Sequence, residues 1–171
     1  MRLEGKVAIV TGAGSGFGAG IARKFVAEGA KVLVADRDAG AAERIATELG
    51  ANARGVILNI ASTAGVSPRP RLTWYNASKG WVITATRALA VELAPFGIRV
   101  NALNPVAGET PMLKTFMGED TPEVRAKFLA TIPLGRFSTP EDLGNAACIL
   151  CSDEASMITG VAMEVDGGRC I

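Results

Sequence analysis

Thr11-Gly12-Ala13-Gly14-Ser15-Gly16-Phe17-Gly18 is the stretch that decides the fold, because it sets a glycine-rich turn between a predicted strand and a predicted helix. The apolar residues 7–10 before it are typical of a short buried strand. Residues 19–28 after it carry apolar side chains at helical spacing, and Gly29 is a helix stop signal. Strand, glycine turn and helix in this order predict a dinucleotide-binding loop, in which the backbone approaches a pyrophosphate at the helix N terminus.

The predicted cofactor contacts continue into the second strand. Within the loop they are Gly12, Ser15, Gly16, Phe17 and Gly18. The second strand, residues 31–35, ends at Asp36, whose spacing from the loop suits a carboxylate that binds ribose hydroxyls. Because a carboxylate there repels a 2′-phosphate, the sequence favours NAD over NADP. Arg37 keeps NADP open as the less favoured alternative, since its guanidinium could accommodate the phosphate.

A second group of residues indicates proton transfer. Tyr75 and Lys79 are four residues apart, so on a helix they share one face. A free phenol is too weak an acid to exchange protons readily at neutral pH, and a neighbouring ammonium favours its phenolate form. Ser62 precedes Tyr75 by thirteen residues and adds a hydroxyl donor. A hydroxyl, a tunable phenol and a cation suit acid–base chemistry at an alcohol or a carbonyl.

Other catalytic classes are excluded or disfavoured. The chain has no histidine, which removes Ser-His-Asp catalysis and the histidine-based zinc motifs. Cys148 and Cys151 form a C-x-x-C pair, but with Cys170 they give only three of the four ligands that a structural zinc requires. The pair falls late in a predicted helix, whereas a reactive pair prefers a helix N terminus. We therefore expect no metal site, and we expect these cysteines to be small buried side chains.

Four motifs in the order expected for one family make the chain resemble the short-chain dehydrogenase/reductase family. The cofactor loop T-G-x-x-x-G-x-G matches Thr11, Gly12, Gly16 and Gly18. The constellation Ser…Tyr-x-x-x-Lys matches Ser62, Tyr75 and Lys79. Residues 101–110 are similar to the segment N-x-x-x-P-G-x-x-x-T, with Val106 in place of the glycine, and residues 160–168 are similar to the C-terminal strand that ends in D-G-G.

The resemblance implies a fold and an activity. It implies a single domain over residues 1–171, of the α/β class, doubly wound and Rossmann-type, with a mostly parallel sheet and helices on both faces. The implied reaction interconverts a secondary alcohol and its carbonyl, with Tyr75 as acid and base, Lys79 on the nicotinamide ribose and Ser62 orienting the substrate. Pro105 and Thr110 are expected to hold the nicotinamide end.

The chain departs from this family in length. Similar members run to on the order of 250 residues as one domain. Here a helix near residues 41–49 leads almost directly to a strand at residues 55–60. The seam, by which we mean the point where the missing segment would be inserted, lies near residues 51–54. The missing part would hold two strands, two helices and the family's catalytic asparagine. Two explanations are open: a true deletion, or a longer natural protein that carries this stretch between the two halves.

Composition sets the expected partners. Hydrophobic residues make up 49%, charged residues 20% and the net charge is +1, as in a soluble globular domain. We expect a small-molecule alcohol or carbonyl substrate, no nucleic acid, no membrane and a cytoplasmic location. The resemblance implies a homo-oligomer, a dimer or tetramer.

Two other functions compete with alcohol–carbonyl oxidoreduction. A non-catalytic dinucleotide-binding or structural relative is the alternative if the deletion is real. A methyltransferase is disfavoured, since it has no use for Ser62, Tyr75 and Lys79.

Overall fold

The computed structural model describes residues 1–36, 38–49, 57–96 and 98–171. Arg37, the seam near residues 51–54 and the start of the strand expected at residue 55 lie outside the described residues. The main elements, in chain order, are β1 (Val7–Thr11), α1 (Gly16–Ala27), β2 (Lys31–Ala35), α2 (Ala39–Leu49), β3 (Ile57–Ile60), α3 (Thr73–Leu93), β4 (Val100–Pro105), α4 (Leu113–Met117), α5 (Pro122–Leu129), α6 (Pro140–Cys151) and β5 (Ala162–Val165).

All strand pairs are parallel, but they form two sheets. β1 pairs with β2, and β3, β4 and β5 form a second sheet with β4 in the centre. The α/β class and the parallel strands are therefore confirmed. Among the described residues no strand lies between β1 and β3, so the parallel strands stand in two sheets. This agrees with the sequence analysis, in which the segment missing from the chain would hold two strands.

Helices α1 and α6 form a common layer that holds the two sheets together. Their buried side chains share one hydrophobic core with both sheets, including Phe25 and Leu143 from the helices, Val10 from β1 and Leu103 from β4. The two helices approach closely, because a Cβ at Gly20 of α1 would lie 2.6 Å from both the Cβ and the carbonyl oxygen of Pro140. The helix layer thus fixes the position of one sheet relative to the other.

The two sheets differ in how their other face is covered. Successive strand residues point to opposite faces; Leu103 of β4 packs in the α1–α6 core, whereas Ala102 packs with Ile83 of α3. The three-stranded sheet therefore has helices on both faces, as expected. On the two-stranded sheet, Ile9 and Leu33 are direct partners in register and are 67% and 58% exposed. This apolar face of β1 and β2 has no helix over it in the described part of the chain.

The close approach of α1 and α6 gives a stability prediction. We expect Gly20→Ala to destabilise the fold, because overpacking costs about 1–3 kcal/mol and exceeds the gain in helix propensity of up to about 1 kcal/mol. Gly40→Ala in α2 is the matched control, since its Cβ would meet nothing nearer than Asp38 Oδ1 at 3.5 Å. Urea denaturation measures the free energy of unfolding of both variants. A Gly20→Ala protein at least as stable as the wild type would contradict the packing described.

Candidate active site

The carboxyl ends of β1, β3 and β4 open onto one cavity of about 850 Å³. The residues that line it include every predicted contact: Gly12, Ser15, Gly16, Phe17, Gly18, Asp36, Ser62, Tyr75, Lys79, Pro105 and Thr110. The two motif groups, which are far apart in sequence, thus face each other across one space. This is the edge at which parallel α/β sheets bind ligands.

The glycine loop has the geometry of an anion-binding turn. A Cβ at Gly18 would lie 2.2 Å from the Gly12 carbonyl oxygen, so the turn closes only with glycine there. Helix α1 begins at Gly16, and its N-cap residue, Ser15, makes no capping hydrogen bond through its side chain. The N terminus of α1, with its positive dipole end, therefore faces the cavity without a side-chain cap. These features fit the pyrophosphate of a dinucleotide.

Asp36 has a structural role that sequence reasoning missed. Its carboxylate accepts hydrogen bonds from the backbone N–H of Gly14 at 3.0 Å and of Asp38 at 3.0 Å. The carboxylate therefore ties the end of β2 to the glycine loop. The approach is close, because a Cβ at Gly14 would lie 3.0 Å from Asp36 Oδ2 and 2.7 Å from the Ala41 Cβ. Asp36 also lines the cavity.

Tyr75 and Lys79 lie in the first two turns of α3, as predicted. The Lys79 Nζ is 5.7 Å from the centroid of the Tyr75 ring and donates a hydrogen bond to the Ile60 carbonyl oxygen at 3.0 Å. Burial lowers the pKa of Lys79, because it destabilises the ammonium. The bond to Ile60 anchors the side chain at the end of β3 and fixes its position beneath the cavity.

Ser62 is held at the other side of this group. It is buried, and its Oγ accepts a hydrogen bond from the Ala64 N–H at 3.1 Å, which caps the short turn Thr63–Gly65. That turn packs directly on α3, since a Cβ at Gly65 would lie 2.8 Å from the Lys79 carbonyl carbon. No hydrogen bond joins Ser62 to the hydroxyl of Tyr75 among the described residues. The two hydroxyls line one cavity, so a substrate oxygen could meet both.

A phenylalanine over Tyr75 is the second feature that the sequence did not reveal. The Phe116 ring in α4 meets the Tyr75 ring edge-on, with centroids 5.3 Å apart. Helices α4 and α5 are anchored by a separate apolar cluster that contains Leu113, Ile132 and Phe137. Helix α4 thus lies over the Tyr75 side chain at one side of the cavity. Trp74, beside Tyr75 in sequence, is exposed and does not line the cavity.

The cysteines behave as packing residues. Cys148 and Cys151 are buried and are not joined in a disulfide. Burial raises the pKa of both thiols, that of Cys151 to about 12, so neither is a thiolate at neutral pH. The described residues contain no group of three or more metal-ligating side chains. They also contain no helix that is long and apolar enough to cross a membrane.

Comparison with family models adds an independent finding. A model described as short chain dehydrogenase matches residues 6–54, and one described as enoyl-(acyl carrier protein) reductase matches residues 46–169. The two matches meet at residues 46–54, where the sequence predicted a seam. Together they cover almost the whole chain.

Curated relatives show both the similarity and the missing segment. The chain is 38% identical to 4-formylbenzenesulfonate dehydrogenase of Comamonas testosteroni, and the alignment covers 100% of both proteins. Its 252 positions exceed the 171 residues of the chain by 81, so at least that many positions have no counterpart here. The chain is 44% identical to 2-(S)-hydroxypropyl-CoM dehydrogenase 3 of Xanthobacter autotrophicus, over 67% of the chain. That match spans about half the relative, 46% of its length.

Solved structures share the fold. A 3-ketoacyl-(acyl-carrier-protein) reductase from Brucella melitensis, complexed with NADH, superposes with a TM-score of 0.89 at 42% identity, covering 99% of this chain and 100% of that one. A gluconate 5-dehydrogenase, described as putative, from Beutenbergia cavernae with bound NADP superposes with a TM-score of 0.90 at 28% identity, covering 98% of both chains. Both structures hold a nicotinamide dinucleotide.

Proposed function

Because the chain belongs to the short-chain dehydrogenase/reductase family, we propose that residues 1–171 form one catalytic domain that interconverts a secondary alcohol and its carbonyl. The observation that carries this proposal is the single cavity in which the glycine loop faces Ser62, Tyr75 and Lys79. The glycine turn and the uncapped N terminus of α1 fit a nicotinamide dinucleotide. When bound, its nicotinamide ring supplies or accepts a hydride.

The residues of the chain carry the proton and position the substrate. The Tyr75 hydroxyl gives a proton to the carbonyl oxygen during reduction and takes it from the alcohol during oxidation. The Lys79 ammonium, anchored on the Ile60 carbonyl and 5.7 Å from the centroid of the Tyr75 ring, binds the nicotinamide ribose and holds a positive charge beside the phenol. Ser62 donates a hydrogen bond to the substrate oxygen, and Pro105 and Thr110 hold the nicotinamide end. The Phe116 ring packs edge-on against the Tyr75 ring at the cavity.

The preference between the two dinucleotides is a prediction. We expect tighter binding of NADH than of NADPH, because the Asp36 carboxylate lies at the cavity where a 2′-phosphate would sit. Titration of both cofactors at matched ionic strength, followed by nicotinamide fluorescence, measures the difference. The Asp36→Asn variant alone would not measure the cofactor preference cleanly, because the Asp36 carboxylate also accepts a hydrogen bond from the glycine loop. Tighter binding of NADPH would show that the neighbouring Arg37 decides the preference.

We further propose that the substrate carries an anionic group. Arg69, in the loop between Ser62 and Tyr75, lies over the Phe128 ring with its guanidinium carbon 4.5 Å from the centroid. Burial, and then the nearby Arg169 guanidinium, lower the pKa of Arg69. Neither arginine forms an ion pair with a described carboxylate, and the Arg169 Nε is buried without a hydrogen-bond partner.

A half-buried Arg69 guanidinium and a buried Arg169 Nε, neither paired with a described carboxylate, favour a bound anion. Neither arginine lines the cavity itself, but Arg69 packs on Phe128, which belongs to the same cluster as Leu113 of the cavity wall, so Arg69 lies on the α4–α5 side of the site. The name of the relative from Comamonas testosteroni, a 4-formylbenzenesulfonate dehydrogenase, includes such a group. A sulfonate or carboxylate on the substrate would satisfy both arginines.

A matched pair of ketones tests this substrate proposal. We expect Arg69→Gln to weaken binding of 4-acetylbenzenesulfonate about tenfold or more, because a hydrogen bond to a charged group contributes about 1.5–3 kcal/mol. Binding of acetophenone, which lacks the sulfonate, should not change. Calorimetric titration in the presence of NADH measures both. Equal losses for the two ketones would assign Arg69 a structural role only.

The missing segment supports a second candidate, a non-catalytic dinucleotide-binding or structural relative. The alignment leaves 81 positions without counterpart, and the resemblance places the family's catalytic asparagine among them. We expect the 171-residue chain to bind NAD weakly and to turn over slowly. The intact mass of the natural protein separates a true deletion from a longer protein: 17.7 kDa indicates a deletion. A mass larger by the missing segment indicates that the chain is part of a longer protein.

Self-association and location stay predictions. We propose that the chain forms homo-oligomers, because α3 presents exposed apolar side chains at Trp81 and Val91 in addition to the uncovered Ile9 and Leu33. Light scattering after size exclusion gives the molar mass in solution. A monomer at micromolar concentration would contradict this proposal. The cytoplasmic location rests on the sequence alone.

A further inference from the structure

Phe17 of the glycine loop packs against the backbone of Gly108, in the loop that follows β4. A Cβ at Gly108 would lie 2.5 Å from Cε1 of the Phe17 ring and closer still to Cζ, nearer than two non-bonded carbon atoms can approach. Both residues line the cavity. The glycine loop and the loop after β4 thus meet through one aromatic ring and one residue without a side chain.

The Phe17 ring, and not the backbone conformation, is what requires glycine at position 108. The φ angle of Gly108 lies outside the left-handed region, so its backbone is one that ordinary residues also adopt. The two loops also meet at Gly16, where a Cβ would lie 3.4 Å from Thr110 Cγ2, an ordinary contact distance. Of these two contacts between the loops, only that of Phe17 with Gly108 leaves no room for a side chain.

Ser138 holds the Gly108 loop in place from the other side. The Glu109 N–H donates a hydrogen bond to the Ser138 carbonyl oxygen at 2.8 Å, and the Ser138 N–H donates one to the Ala107 carbonyl oxygen at 3.3 Å. The Ser138 hydroxyl donates to the carbonyl oxygen of Val165 in β5 at 3.1 Å. The loop therefore cannot move away from a new side chain at position 108 without breaking these bonds.

A displaced Phe17 ring has the cavity as its open direction. The ring packs against the core that α1 and α6 share, and a close-packed core resists the insertion of further atoms. Gly108 lies at another side of the ring, and its loop is held by Ser138. Because Phe17 also lines the cavity, a ring pushed from Gly108 would move into the space that a ligand needs.

We propose that Gly108 is a positioning residue, which keeps the Phe17 ring out of the nicotinamide end of the cavity. Pro105 and Thr110, the residues assigned to that end, precede and follow Gly108 in the same loop and line the same cavity. The ring fills the volume that a side chain at position 108 would take. This inference rests on the proposed dinucleotide binding and does not depend on proton transfer by Tyr75. None of the residues in these contacts adjoins the seam.

Calorimetric titration of the 171-residue chain with NADH and with ADP-ribose, which lacks the nicotinamide ring, tests this proposal. We expect Gly108→Ala to weaken NADH binding at least about tenfold, because the displaced ring occupies the nicotinamide end. ADP-ribose should keep its affinity within about twofold. Phe17→Val removes the ring atoms that the new Cβ would meet. In that background, Gly108→Ala should change NADH affinity by less than about twofold.

Gly40→Ala is the matched control for adding a methyl group at a glycine. Gly40 is exposed in α2, and its Cβ would meet nothing nearer than Asp38 Oδ1 at 3.5 Å, so both affinities should match the wild type. Equal losses of NADH and ADP-ribose in Gly108→Ala, or the same loss of NADH with and without Phe17→Val, would overturn the proposal. An unchanged NADH affinity in Gly108→Ala, or a wild type that binds no NADH, would overturn it as well. NADH binding with these effects but without turnover would contradict the oxidoreductase alone.

Discussion

Tyr75→Phe is expected to lower kcat for ketone reduction by at least about 100-fold, the usual contribution of a positioned acid or base. The substitution removes the only hydroxyl that we assign to proton exchange and keeps the ring that packs edge-on against Phe116. Because we assign the phenol to the substrate oxygen and not to the cofactor, the dissociation constant of NADH should stay within about twofold. Steady-state rates and a fluorescence titration give the two quantities.

Trp74→Phe is the matched control for this variant. Trp74 precedes Tyr75 in α3, but its side chain is exposed and does not line the cavity. Its replacement should leave both the rate and the cofactor affinity unchanged. A Tyr75→Phe protein with ordinary rates would mean that another group transfers the proton.

Lys79→Ala is expected to damage turnover and cofactor binding together. The ammonium is assigned to two partners, the Tyr75 phenol and the nicotinamide ribose, and it is anchored on the Ile60 carbonyl. Removing a charged donor from an active site typically costs about 100-fold in kcat. The loss of a charged hydrogen bond should weaken NADH binding about tenfold. The pattern differs from that of Tyr75→Phe, which changes the rate alone.

Arg87→Ala, also in α3, is the control for removing a cation from this helix. Arg87 is exposed and lies outside the cavity lining, so the turnover rate and the NADH affinity of the Arg87→Ala protein should match those of the wild type. If Lys79→Ala lowered the rate but left NADH binding intact, the assignment of Lys79 to the ribose would be wrong.

The sequence predicted those parts of the fold that depend on local pattern. The glycine turn between two apolar runs required a strand–turn–helix unit, and β1, α1 and β2 follow it closely. The sequence predicted that the two motif groups would meet, and both line one cavity; their roles in the site stay a prediction. Tyr75 and Lys79 needed only the period of one helix to share a face.

The sequence could not predict features that depend on long-range pairing. The contact of Phe116 with Tyr75 and the bond from Gly14 to Asp36 each join segments that lie more than twenty residues apart. Such contacts appear only when the helices and strands are packed together.

Transfer of deuterium from NADH labelled at C4 to a ketone tests the central claim most directly, because mass spectrometry detects even very slow turnover. The probes are acetophenone and 4-acetylbenzenesulfonate, incubated with the purified 171-residue chain. We expect one deuterium on the carbinol carbon of the product with the wild type and at least about 100-fold less with Tyr75→Phe. A chain that binds NADH but transfers no deuterium, or equal transfer by the two proteins, would contradict the proposed oxidoreductase.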